Sequence, residues 1–319
     1  MQVDLLLRVG LLALRRMAVP RYRTKFSKKT FTQHQHLLAL ALKELKKTSY
    51  RGLVDELEDS KAVDRHLQLP RTPHFTTPQK FLARTQPKWL NLLLTRLVQL
   101  VTGTIHAALD ATCWRLRAAS THYLNRVGQR IEVRDTWKSS DLFDVPTGLF
   151  VTTRGKAGRR MESNDLIALV DAAGGVVEVY ADGAYDTNAN WRGLKQRRIR
   201  AYINHKMGKS APGDRHYTAR TSAFHRKNAD PLGWQGHYRY RTRIEGAYHA
   251  MKALLGDHIP GQSRWMKERY RLNKYWAYDL QRVARRHARS LGLRGRRRGC
   301  LLNRTDRTLI AKHRASSDP

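Results

Sequence analysis

The hydrophobic period of the chain changes near residue 103, and that change limits the folds open to it. Upstream, "TFTQHQHLLALALKELKK" places Leu38, Ala41, Leu42 and Leu45 at helical spacing, and "YRGLVDELEDS" repeats the pattern on a shorter scale. "LPRTPHFTTPQKFLART" offers a proline-broken turn, with Thr76 or Thr77 as N-cap and Pro78 in the first helical turn. Downstream, short apolar or β-branched runs alternate with helical ones. "TIHAALD" is a strand ending in Asp110, and "SSDLFDVPTGLFVTT" is a hairpin turning near Pro146 to Gly148. "SNDLIALVDAA" is a helix stopped by Gly174 and Gly175, and "VVEVYADGAYD" is a strand that stops at Asp182. "NANWRGLKQRR" and "IRAYI" continue as helix and strand. Strands followed by helices predict an α/β domain with a mixed sheet, preceded by a helical region. Residues 205–236, polar and basic, are expected to form a loop, and the last helices to run from about Trp265 to Leu291.

The charge narrows the partner. Lys plus Arg number 61 against 26 acidic residues, a formal charge of +35, with 41% of residues apolar. An apolar content of that size disfavours intrinsic disorder, and a self-repelling cationic excess calls for a polyanion. Two distant cysteines, Cys113 and Cys300, argue against a zinc site or a disulfide framework. No run reaches the length of a membrane span. "MQVDLLLRVGLLALRRMAVP" has Asp4 where a signal peptide wants positive charge and Arg8 inside its apolar run, so it is either a short helix or translation upstream of a start near Met17. The expected location is cytoplasmic.

Chemistry concentrates in "HYRYRTRIEGAYHAMKALLG", residues 237–256, where one acid, Glu245, stands among Arg239, Arg241, Arg243 and Lys252. As one helix capped by Gly256, this stretch would put Tyr238, Arg241, Glu245 and Lys252 within an arc of roughly 60°. Tyr240, Ile244, Ala247, Met251, Leu254 and Leu255 would fall on a separate apolar arc of about 100°. Glu245 is then either a salt-bridge partner on a solvated face or one of a set of carboxylates. Asp110 and Asp182 both end strands, where ligands bind in open α/β sheets, so both can meet in one crevice. Each is alternatively a turn cap, with Asp186 or Asp135 as the functional acid. Three carboxylates brought together repel one another, and a divalent cation is the usual remedy. A pair of Mg²⁺ ions on Asp110, Asp182 and Glu245 could activate an oxygen against a phosphodiester, with the cations of the helical face steadying the phosphate backbone.

The spacing Tyr238-x₂-Arg241-x₃-Glu245-x₆-Lys252 resembles the Y-x₂-R-x₃-E-x₆-K motif of DDE insertion-sequence transposases. "ALDATCW" is similar to their first-aspartate strand, "YADGAYD" to their second, and "FTQHQHLLALALKELKKTSYRGLVDEL" with "TPHFTTPQKFLAR" to their helical DNA-binding region. The resemblance implies a ribonuclease-H-like domain at 99–290, a helix-turn-helix-like DNA-binding domain at 23–98, an uncertain segment at 1–22 and a basic tail at 291–319. It implies catalytic, metal-binding roles for Asp110, Asp182 and Glu245, and DNA or phosphate contacts for Tyr238, Arg241 and Lys252. The cofactor would be Mg²⁺, with Mn²⁺ substituting, two ions per site. The partner would be double-stranded DNA, both terminal inverted repeats and target, bound by a nucleoid-associated homodimer without membrane attachment. The activity would be cutting at element ends and joining the 3′-hydroxyl to target DNA. The alternative is an inactive or domesticated transposase acting as a DNA-binding regulator. A basic RNA-binding protein is a third reading, but it lacks an RNP-type aromatic motif. Some hairpin-forming family members hold a flipped base on a tryptophan; Trp234 has no clear match to that position and is left unassigned.

Overall fold

The computed structural model describes residues 3–116, 126, 128, 136–157, 162–205, 218–261 and 263–290. Asp135, Cys300 and the 291–319 tail lie outside the described residues. Six helices come first: α1 (Val3–Arg16), α2 (Gln33–Lys46), α3 (Tyr50–Asp59), α4 (Lys61–Leu67), α5 (Thr76–Arg84) and α6 (Pro87–Gln99). A capping box starts α2, with Thr32 N–H donating to Gln35 at 2.7 Å and Gln35 N–H returning to the Thr32 hydroxyl at 3.2 Å. The expected threonine cap of α5 is absent. Phe75 occupies the N-cap without a side-chain hydrogen bond, so the chain enters that helix one residue earlier than the proline suggested. The opening segment is a helix whose Leu5, Leu6, Leu7 and Leu14 are buried in the common core.

The sheet has five strands in the order β3-β2-β1-β4-β5. They are β1 (Ile105–Arg115), β2 (Thr136–Asp144), β3 (Leu149–Ala157), β4 (Val176–Ala181) and β5 (Arg200–Ile203). β2 runs antiparallel to β1 and β3, while β4 is parallel to β1 and β5. Between β3 and β5 lie α7 (Leu166–Ala173) and α8 (Asn188–Gln196). The β2–β3 turn is pinned by buried Asp144, which accepts from the Thr147 N–H at 3.0 Å and from its hydroxyl at 2.5 Å.

Residues 219–238 form two helices, α9 (Ala219–Ala229) and α10 (Pro231–Tyr238), where composition had suggested a loop. The start signals are in the sequence: Thr218 and Asp230 cap them through N–H groups at 3.2 and 2.9 Å, and Pro231 stands at the first helical position. The 237–256 stretch is also not one helix. α10 ends at Tyr238, a 3₁₀ turn covers Arg239–Thr242, and α11 runs Arg243–Leu255. Four residues at about 120° instead of 100° displace Tyr238 from the expected arc by roughly 80°.

The last helix, α12 (Arg264–Ser290), is the spine of the molecule. Trp276, fully buried, donates to the Leu37 carbonyl of α2 at 3.1 Å. Asp279 accepts from the Phe150 N–H of β3 at 3.1 Å. Phe150 meets Tyr248 of α11 at 5.6 Å and Tyr275 of α12 at 4.8 Å between ring centres. One continuous core therefore joins the N-terminal helices to the sheet through α12. Each large apolar side chain so buried contributes about 1.5–3 kcal/mol. No helix of the described residues is long and apolar enough to cross a membrane.

Candidate active site

The sheet register creates the site. β4 stops at Ala181, paired with Leu109 of the parallel neighbour β1. Asp110 and Asp182 are the next residues on two strands whose spacing is about 4.8 Å. Asp110 is not at the end of its strand, as the sequence suggested: β1 continues five residues further, against β2 alone. It stands where β4 pairing ends, the crevice position of an open sheet. Burial pushes the Asp110 carboxyl up to about 6, with the Asp182 charge adding to the rise; its Oδ1 accepts from the Ala111 N–H at 2.8 Å. Asp182 caps the following 3₁₀ turn, accepting from the Ala184 N–H at 2.8 Å.

Glu245 is exposed on the first turn of α11, and Arg241 Nη1 donates to its Oε1 at 2.6 Å. Arg241 also lies in the field of Asp110, and its guanidinium sits 5.9 Å from the Tyr238 ring. Asp110 and Asp182 are thus brought together, while Glu245 is turned to a cation beside them. Among the described residues no group of three His, Cys, Asp or Glu side chains is disposed to hold a metal ion. Lys252 points inward, donating to the Thr112 hydroxyl at 2.7 Å and the Cys113 carbonyl at 2.8 Å; burial lowers its pKa. It braces α11 against the extension of β1.

Asp186, the alternative acid, and Trp234 both have defined partners. Asp186 is buried and held by Arg220 through contacts of 2.9 and 2.5 Å, and by Trp191 Nε1 at 2.8 Å. Trp234 is buried, its ring 5.1 Å from Tyr202.

Sequence reasoning missed the groups that surround the acid pair. Glu162 pairs with Lys138 and adds to the negative field at Asp110. Tyr185 is fully buried in the field of Glu162, Asp110 and Asp182, and its hydroxyl has no hydrogen-bond partner among the described residues. Asp141 lies opposite Asp110 in the β1–β2 register and is fully buried. Its Oδ2 accepts from Tyr275 at 2.5 Å and faces the Tyr248 hydroxyl at 2.9 Å; Ser139 donates to Oδ1. The nearby Arg271 guanidinium is also buried but is matched by Glu268, with contacts of 3.0 and 2.5 Å. Burial raises the pKa of Asp141, opposed by the Arg271 guanidinium 3.6 Å from its Oδ1 and by the hydroxyls that donate to it. The Tyr248 hydroxyl, with its single hydrogen, sits between two acceptors, Asp141 Oδ2 at 2.9 Å and the Asp110 carbonyl at 3.0 Å. No motif marks this chain of contacts; the antiparallel register and the packing of α11 and α12 assemble it.

Tyr248→Phe is expected to lower stability by about 1–3 kcal/mol, since it removes the hydroxyl from the buried Asp141 carboxyl and the Asp110 carbonyl while keeping the ring on Phe150. Thermal melts check this, and an unchanged melting temperature would remove Tyr248 from its supporting role.

No family model matches the sequence, and no curated protein does. Among solved structures, the chain is similar to a piggyBac transposase synaptic complex with hairpin DNA. The match has 11% identity and a TM-score of 0.42, covering 98% of this chain and 80% of that one. A likeness at that level carries nothing into the reading of the site.

Proposed function

We propose that the chain is a DDE-type transposase that cuts phosphodiesters at the ends of a mobile DNA element and joins the freed 3′-hydroxyl to target DNA. The observation that carries this reading is the parallel β1–β4 register, which sets Asp110 beside Asp182 at the mouth of the sheet next to Arg241 and Glu245. The five mixed strands with helices around them support reading the sheet as ribonuclease-H-like. The +35 charge supports a DNA partner. The helices before the sheet are the candidate end-reading region, and α5 exposes Gln79, Lys80 and Arg84 there.

The adjacent carboxylates and the orphaned Tyr185 hydroxyl fit a hydrated divalent cation. Asp110 and Asp182 would hold it, and Glu245 would complete the set by exchanging Arg241 for the ion. When bound, the ion supplies Lewis-acid activation of the phosphodiester and of the attacking oxygen. The chain's own residues orient the reactants. Arg241, freed from Glu245, is placed to take a phosphate oxygen, and Tyr238 presents its ring and hydroxyl alongside. Lys252 and Tyr248 hold α11 and β1 in register so that Asp110 keeps its position.

The rival reading, a DNA-binding regulator descended from such an enzyme, draws on the Arg241–Glu245 pair. Incubation with DNA carrying the element's terminal repeats separates the two. The enzyme nicks these ends with Mg²⁺ or Mn²⁺ and not with EDTA. The regulator binds them and cuts under none of the three conditions.

A further inference from the structure

Residues 239–243 divide their side chains between two sites. Arg241 serves the acid pair, whereas Arg239, Tyr240 and Arg243 line a cleft of about 940 Å³ between α11, the β2–β3 turn and the second half of α12. Arg282 reaches in from α12, its Nη1 donating to the Tyr278 hydroxyl at 3.2 Å. Gly148 (φ 73°) makes room for it: a Cβ there would lie 2.5 Å from Arg282 Nη2. The cleft thus presents three guanidinium groups, and no carboxylate lines it among the described residues. None of the three forms an ion pair with a carboxylate among those residues. Arg282 lies in the field of the buried Asp279 carboxyl, and an anion in the cleft would relieve the remaining repulsion among the three guanidinium groups. Arg239 lies over the partly exposed Tyr240 ring at 5.6 Å, a cation beside an aromatic face. Gly246 of α11 also lines the cleft, and an added Cβ there would meet open space.

We propose that this cleft binds a short single-stranded nucleic-acid segment, its phosphates on Arg239, Arg243 and Arg282 and a base against Tyr240. Guanidinium groups interleaved with an aromatic face are the elements of single-strand recognition. The volume is at the upper end of ligand clefts and takes roughly one or two nucleotides, not a duplex. The proposal deepens the nuclease reading and rests on it: the 3₁₀ turn Arg239–Thr242 carries side chains of both sites.

The test uses the full chain in EDTA, a fluorescein-labelled oligothymidylate and a duplex of equal length, at an ionic strength that suppresses non-specific binding. Gly246→Leu fills part of the cleft, and Arg239→Ala/Arg243→Ala removes two exposed cations. Each is expected to weaken single-strand binding about tenfold while duplex affinity changes by less than about twofold. A 5-bromodeoxyuridine oligonucleotide is expected to cross-link to the peptide carrying Tyr240. Leucine outranks glycine as a helix former, so Gly246→Leu should melt no earlier than wild type. If it does melt earlier, the arginine pair, both exposed, decides. Unchanged single-strand affinity in the arginine variant, a parallel loss of duplex binding, or cross-links only elsewhere overturns the proposal. Asp110→Asn is expected to keep single-strand binding. A failure of the cleft with end cleavage intact would therefore leave the catalytic reading standing.

Discussion

Asp110→Asn is expected to abolish cleavage of end DNA and, in the same protein, to raise the melting temperature above pH 6. The two effects have one cause. The Asp110 carboxyl titrates near 6 in the folded chain because it is buried and faces Asp182, against an ordinary value of 3.8. A folded pKa raised above the unfolded one means that the neutral carboxyl's contribution is fully present below about pH 4. It is lost as pH rises through about 6. At pH 7.5 the folded protein carries a poorly solvated charge that asparagine lacks. The melting difference between variant and wild type should therefore open between pH 4 and 6 and vanish below that window. Added Mg²⁺ should raise the wild-type melting temperature above pH 6 and have a much smaller effect on Asp110→Asn, which has lost a ligand charge. Cleavage by the variant at the wild-type rate would refute the catalytic assignment; a melting difference independent of pH would refute its electrostatic basis.

Glu245→Gln should lower Mg²⁺-dependent cleavage by orders of magnitude with almost no change in stability. The ion pair it breaks is an exposed i,i+4 contact, with half of the Glu245 side chain in solvent. Such pairs are worth about 0.3–0.5 kcal/mol, and glutamine keeps both the volume and the helix propensity. DNA binding should persist, because neutralising one acid makes a cationic surface more positive. If Glu245 only holds Arg241 in place, cleavage will instead follow the folded fraction. Melts run beside the cleavage assay distinguish the outcomes.

Much of the scaffold was legible because it is local. The hairpin at 145–148, the strands ending at Ala181 and Ile203, and the Gly256 cap of α11 follow from alternation, turn chemistry and positive-φ glycine. The helices α9 and α10 were equally local, marked by Thr218, Asp230 and Pro231, and were obscured by giving basic composition more weight than caps. The 3₁₀ turn at Arg239–Thr242 was not visible from the 3.6-residue period, which is indifferent to how tightly a single turn is wound against Tyr180 and β1.

The sequence by itself determined that an α/β unit follows a helical one, that the chain is strongly cationic, and which carboxylates stand at or near strand ends. Residue type and short-range period decide those matters. Only the tertiary structure decided what the carboxylates meet. The parallel register of β1 and β4 joins Asp110 to Asp182, and the antiparallel register of β1 and β2 places Asp141 behind Asp110. The packing of the 3₁₀ turn and α11 faces Arg239 and Arg243 into a separate cleft. Desolvation raises the Asp110 and Asp141 carboxyls, and it depends on partners far away in the chain.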